Sequence, residues 1–329
     1  MTSRRQVLVA AAVGLASPTA FGQARGVPRI GVLHAGSSKE PIAVQREPFE
    51  RGLRDLGWVP GSTVIMDYRY AEGDRGKLAP LAKELVRSGV DVIVARNNAA
   101  INAARKATST IPIVMAAYGG DPAAEGVVKN VSRPGVNVTG IGMFTDLDPK
   151  RLELLKDAFP RIRRAGVLLN PAIDGGKWPE RKAKLSEAAG ALKLQLQFFE
   201  IGRPAELPDA FAAIGRARVD ALLVRGDPEV LDSQRAEIAA QATRLRVPSM
   251  YWWRFCVEAG GLMSYGFSIP GFHNRSAAFV DRILKGAKAS ELAIEQPTRF
   301  ELIVNPKTAK VLDIRIPREF LQRADGVVE

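Results

Sequence analysis

Two stretches of the chain carry one hydrophobic pattern. Leu78, Leu81, Ala82, Leu85 and Val86 recur at the i, i+3, i+4, i+7, i+8 spacing of a helix with one buried face. VDVIVA (90–95) follows, a short run whose apolar residues are not relieved by alternating polar ones. Leu207, Ala210, Phe211 and Ile214 repeat the helix face, and VDALLV (219–224) repeats the run; Asp91 and Asp220 set the shift at 129 (220 − 91). A strand covered on both faces has this composition, which points to a parallel sheet. The echo extends outward. RIGVLHAG (29–36) matches RAGVLLNP (164–171), and ATSTIPIVMAAY (107–118) matches ATRLRVPSMYWW (242–253). Amphipathic patterns between them predict helices over Phe49–Leu56, Ile101–Ala107, Lys182–Leu192 and Ser233–Leu245. Each half thus reads β-α-β-α-β-α-β, and the expected fold class is α/β with two similar doubly wound parallel-sheet lobes.

Open α/β sheets bind ligands outside the carboxyl ends of their strands. The residues just past each strand are therefore the candidates. In the first half they are Gly36, Ser37 and Ser38, then Arg96, Asn97 and Asn98, then Tyr118 and Asp121. In the second half they are Asn170, Arg225, Gly226, Asp227, Trp252 and Trp253. Amides, hydroxyls, a few charges and aromatic rings together suit a small polar ligand with a flat or apolar part.

Composition narrows the class. With 329 residues, 46% of them hydrophobic and 25% charged, the chain is an ordinary globular protein large enough for two lobes. The net charge of +12 raises the question of nucleic acid, but 47 basic residues are spread along the chain among 35 acidic ones, with no basic arm. No nucleic-acid partner is expected. The single cysteine, Cys256, excludes an intrachain disulfide and a cysteine metal cluster. Residues 1–24 have the layout of a secretory signal: the basic MTSRRQ, the apolar VLVAAAVGLA (7–16), then Ser17-Pro18 and small residues. Ser3-Arg4-Arg5 leaves both the general and the twin-arginine export routes open. The mature protein is expected to be soluble and periplasmic.

Catalytic signatures are missing. The histidines are His34 and His273, and neither H-E-x-x-H nor G-x-S-x-G occurs. Gly140-Ile141-Gly142 lacks the third glycine of a dinucleotide fingerprint, and GGDPAAEG (119–126) lacks a phosphate-loop lysine. No enzyme activity, cofactor or metal is expected.

The segments FERGLRDLGWVPG, ATSTIPIV, SRPGVNVTGI, VEAGGLMSYG, DRILKGAK and EQPTRFELIVNPKTAKVL, in this order, resemble the exported substrate-binding proteins of ABC transporters with the type I periplasmic-binding-protein fold. The nearest group includes tryptophan- and tyrosine-binding members, and the resemblance runs from about Val27 to the C-terminus. It implies two lobes joined by a three-strand hinge: 27–145 with 268–299 as lobe one, and 146–267 with 300–329 as lobe two. It also implies flytrap closure on a solute, an inner-membrane ABC permease as partner, a monomeric chain, and Tyr265 lining the cleft near the hinge. A two-lobed α/β enzyme and a periplasmic ligand sensor are the competing readings.

Each candidate side chain has two readings. Asn97 and Asn98 either bond a ligand or cap the helix that follows. Ser37 and Ser38 either hold a carboxylate at a helix N-terminus or form a turn. Asp121 and Asp227 each precede a proline; they either pair with a ligand ammonium group or start a turn. Arg96 either grips a carboxylate or is solvated. Tyr118, Trp252 and Trp253 are candidates for stacking on a flat ligand. Neighbouring residues on a strand face opposite ways, so one tryptophan should face the cleft and the other the core.

Overall fold

The computed structural model describes residues 26–36, 38, 46–174, 176–227 and 230–328. The expected signal segment at 1–24 and Ser37 lie outside them. Two sheets form. The first runs through β1 (Arg29–His34), β2 (Ile65–Tyr70), β3 (Val92–Ala95), β4 (Ile113–Gly119) and β5 (Val138–Met143), in the order β2-β1-β3-β4-β5, all parallel. The second holds β6 (Arg164–Leu169), β7 (Gln195–Glu200), β8 (Ala221–Val224), β9 (Ser249–Tyr251) and β10 (Met263–Phe267) in the matching order β7-β6-β8-β9-β10. Two more strands extend its edge: β11 (Phe300–Val304), antiparallel to β10, and β12 (Gly326–Val327). The expected parallel repeat is therefore present, with one antiparallel addition where the chain returns from the first sheet.

Helices cover both faces. They are α1 (Glu47–Asp55), α2 (Leu78–Arg87), α3 (Asn98–Ala107), α4 (Asp148–Ala158), α5 (Trp178–Ala191), α6 (Leu207–Ala217), α7 (Arg235–Arg244), α8 (Arg254–Glu258), α9 (Ile269–Leu284), α10 (Pro306–Val311) and α11 (Arg318–Leu321). The central strands are fully buried: β3 and β8 read VIVA and ALLV with every residue inside. Sequence patterning marks no residues for β2 or β7. Both are edge strands, and their side chains are partly exposed, so the apolar run that betrays a central strand is absent.

The repeated Val-Asp has a structural role. Asp91 takes the backbone N–H of Arg29 on its carboxylate at 2.7 Å, at the start of β1. Asp220 takes the N–H groups of Arg163 and Arg164 at 2.8 Å, at the start of β6. Each aspartate opens one inner strand and pins the beginning of its neighbour, satisfying donors that the ladder leaves unpaired there.

The chain changes sheet three times. It leaves β5 through residues 144–147 to α4. It leaves β10 through Ser268 to α9, which packs on α1 and on β4 of the first sheet. Glu295 is bound beside β5, with its N–H on the Gly140 carbonyl, and the chain then crosses to β11. Two crossings leave from the carboxyl ends of β5 and β10 through four residues or fewer. The carboxyl edges of the two sheets are therefore tied to the same short linkers. Phe267, Phe272 and Trp253 meet there, with ring centroids 5.5 and 6.3 Å apart.

Candidate functional site

At the carboxyl edge of the first sheet, several candidate side chains already have partners in the protein. Asn97 is the N-cap of α3, its carbonyl oxygen accepting the Ala100 N–H at 2.9 Å. Asn98 bonds the Gly119 backbone twice, donating to its carbonyl at 2.7 Å and accepting its N–H at 2.8 Å. This clamps the loop after β3 to the end of β4. Asp121 accepts the N–H groups of Ala123 and Ala124, an ordinary turn. Tyr118 is buried, and its hydroxyl donates to Glu125 at 2.7 Å. Burial and that bond both push the phenol pKa upward. The structure thus favours the capping reading for Asn97 and the turn reading for Asp121, while Asn98 does neither and ties the start of α3 to the end of β4. It places the Tyr118 ring in the wall of the lobe.

Gly36 donates to His34 Nδ1 at 3.1 Å, and Ser38 is exposed, its N–H on Glu72 at 3.0 Å. The next described helix begins only at Glu47, so Ser38 does not stand at a described helix N-terminus. Arg96, by contrast, is 7% exposed at the end of β3. It lies beside His34 and His273. Burial first, and then the Arg96 charge, bring the His34 pKa down to about 3 and hold His273 well below the usual imidazole range. Both imidazoles are neutral walls around one buried cation.

The second sheet carries the denser arrangement. Asn170 and Asp227 project from the ends of β6 and β8, and the amide donates to the carboxylate at 2.9 Å. Both are buried. Trp252 follows β9. Its indole N–H donates to Asp232 at 2.9 Å, and its ring lies over Gly226, where an added Cβ would stand 2.0 Å from ring atoms. Glycine at 226 is what lets the ring lie flat on the loop after β8. Burial, with Asp227 nearby, raises the Asp232 pKa to about 8 against the lowering effect of the indole bond. Trp252 is half-buried, whereas Trp253 is 7% exposed and packed against Phe255 and Phe272. The two rings lie against each other, centroids 4.7 Å apart, so they do not face opposite ways as strand neighbours would; the chain bends after Tyr251, and Trp252 is the less buried of the two. Tyr265 on β10 is half-buried, its ring 5.8 Å from Phe300 and its carbonyl bonded by Arg151 Nε at 2.7 Å.

Beneath these residues lies a chain of ion pairs that sequence reasoning missed. Arg225 follows β8, 129 residues after Arg96. Its Nε donates to Asp148 at 2.5 Å and its Nη1 to Asp174 at 2.7 Å. Asp148 also accepts from Arg151, and Asp174 pairs with Arg181 at 2.8 Å. The Trp178 ring covers the Arg225 guanidinium at 5.0 Å. Burial pushes the Asp148 carboxyl pKa upward. The adjacent Arg151 and Arg225 outweigh it and hold the carboxyl below its usual range. These residues reach the end of β8 from α4, from the turn after β6 and from α5, separations no local motif reports. Asp232 was legible in principle, as a second acid in the loop after β8.

The site therefore offers a buried carboxylate–amide pair beside a fixed indole on one edge, and a buried guanidinium on the other. That arrangement can hold a small zwitterion with a flat side chain.

The family model described as ABC transporter substrate binding protein matches residues 37–328. A tyrosine-binding protein of Clostridioides difficile (strain R20291) is 25% identical over 270 residues, spanning 82% of this chain and 76% of that protein. Among solved structures, an ABC domain from Streptococcus pneumonia in complex with L-Trp superposes with a TM-score of 0.81 at 26% identity, covering 92% of this chain and all of that one. A conserved domain protein from Vibrio cholerae gives a TM-score of 0.81 at 25% identity with the same coverage. With a pair of doubly wound sheets joined by three crossings and a match over most of its length, the chain belongs to the ABC transporter substrate binding protein family.

Proposed function

We propose that the protein captures an amino acid with an aromatic side chain between its two lobes and presents it to an inner-membrane ABC permease. The observation that carries this reading is the placement of Asp227, held by Asn170, on the same carboxyl edge as the half-buried Trp252. A buried carboxylate receives an ammonium group, and an indole fixed by Asp232 stacks on a flat ring, worth on the order of 1 kcal/mol beyond area burial. Arg96, on the facing edge, receives the carboxylate. Gly36 and Ser38 border that end, and Tyr265 lies near the crossings. Tyrosine and tryptophan are the ligands named for two relatives, and they have these three parts.

In this reading the lobes comprise 27–145 with 268–299 and 146–267 with 300–329. The ligand touches both only when they approach, so binding favours the closed arrangement by its differential affinity. The protein acts as an exported monomer. Thermal-shift screening with the common amino acids, sugars and polyamines tests the ligand class. Stabilisation by tyrosine, tryptophan or phenylalanine is expected. Stabilisation by a sugar or polyamine, with every amino acid inert, would remove the proposal.

A further inference from the structure

We propose that the amino-terminal pole of the second sheet, the end opposite the candidate ligand site, is a contact surface for anionic phospholipid headgroups. The topology gathers cations there. β7, β6, β8 and β9 are parallel neighbours, so the segments leading into them share one pole. Arg161, Arg163 and Arg164 lead into β6, and Lys193 into β7. They line one shallow hollow of about 410 Å³, together with Gln195 and Asp220. Asp220, the acid of that lining, accepts two backbone N–H groups and stands 4.0 Å from the exposed Arg164 guanidinium, leaving Arg161, Arg163 and Lys193 in excess there. The segment before β8 adds Arg216 and Arg218, and the one before β9 adds Arg244 and Arg246. All eight of these cations are exposed. At a strand spacing of about 4.8 Å, the four segments form a row roughly 15 Å long.

Backbone conformation adds a second observation. Lys193, Arg218 and Arg246 have φ of 55°, 49° and 54°, each just beyond the end of α5, α6 or α7. This left-handed position is where glycine is the unstrained residue. In the first lobe, α1 and α2 are followed by Gly57 and Gly89 at φ 89° and 69°. The second lobe places a cation where the first places glycine. Attraction to a helix C-terminus accounts for Arg216 and Arg244 in the last turns, but not for Arg161 and Arg163 in the segment between α4 and β6.

The absence of apolar anchors favours a lipid surface over a protein. Protein interfaces centre on buried aromatic or aliphatic side chains. The large hydrophobic side chains exposed among the described residues are Val27, Leu56, Val59, Ile173, Val311 and Val327, and none lies in these four segments. A row of cations on loops suits the surface potential of an anionic membrane. Contact there leaves the carboxyl edges free, because a six-residue strand such as β6 sets them roughly 20 Å away.

The test is co-sedimentation of the purified protein with vesicles of phosphatidylcholine alone or with about one-third phosphatidylglycerol. It is run at about 20 mM and about 300 mM salt, since screening lengths differ several-fold between them. Binding to the anionic vesicles at low salt, lost at high salt, is expected. The variant Lys193→Gly/Arg218→Gly/Arg246→Gly removes three cations and relieves the left-handed strain. Its thermal midpoint should equal or exceed that of the parent while vesicle affinity falls on the order of tenfold or more. Removing three exposed cations of the first lobe (Lys83→Gln, Arg87→Gln, Lys106→Gln) should leave binding within about twofold. Equal binding by the glycine variant, binding to neutral vesicles, or binding to polyglutamate without binding to vesicles would each overturn the proposal. All variants carry the same N-terminal residues, so a contribution from those residues cancels.

Discussion

The Trp252 indole N–H donates to the Asp232 carboxylate at 2.9 Å, which fixes one ring at the carboxyl edge of the second sheet. The ring of its neighbour Trp253 lies against it, centroids 4.7 Å apart, and packs deeper, on Phe255 and Phe272. Two adjacent tryptophans thus share one aromatic cluster, with Trp252 on its half-buried side and Trp253 inside it.

Replacing each ring should divide stability from binding. Trp253→Ala removes a buried aromatic and should cost about 3–5 kcal/mol in chemical denaturation. Trp252→Ala should cost less than half of that. In calorimetric titration with the best ligand of the thermal-shift screen, its affinity should fall about tenfold. Equal losses of stability with unchanged affinity would show that neither ring contacts the ligand.

Asp232→Asn keeps an acceptor for the indole and removes an acid whose pKa is raised to about 8. The native acid binds its proton more tightly than the unfolded one, so it destabilises the fold progressively as pH rises from about 4 to about 8. The asparagine variant should therefore be the more stable protein at pH 8, with the difference shrinking towards pH 4. Urea denaturation at the two pH values measures this.

His34 and His273 should make the protein acid-sensitive. Both are held neutral, His34 with a pKa of about 3, by burial and by Arg96. The unfolded chain takes up protons below pH 6.5 and the native one does not. Stability should fall with decreasing pH from about 6.5, by roughly 1.4 kcal/mol per pH unit for each histidine. His34→Gln should flatten the slope by about one proton. An unchanged slope in the variant would refute the assignment.

Asp148→Ala leaves Arg151 and Arg225 buried with one carboxylate fewer. The expected loss is about 3–5 kcal/mol by urea denaturation, because an uncompensated charge remains inside. A double variant that also replaces Arg225 with methionine should recover part of that loss. A loss under about 1 kcal/mol in the single variant would mean that solvent reaches the network.

Periodicity and repetition settled the class of fold. The buried face from Leu78 to Val86, the apolar runs at Val92 and Ala221, and the 129-residue echo follow from local burial rules, and these are written residue by residue. The parallel direction of the strands followed because parallel crossovers need a helix. Strand ends also nominated Arg96, Asn170, Asp227, Trp252 and Trp253. Which nominees are engaged by other parts of the fold was decided only by tertiary structure. Asn98 and Tyr118 found partners in Gly119 and Glu125, while Trp252 and Asp232 met across 20 residues and Arg225 reached Asp148 across 77. A side chain's orientation depends on what the rest of the fold brings within hydrogen-bonding distance. Local pattern carries no record of such long-range meetings, so periodicity located the strand ends and the packed structure decided which side chains there are held by distant parts of the fold.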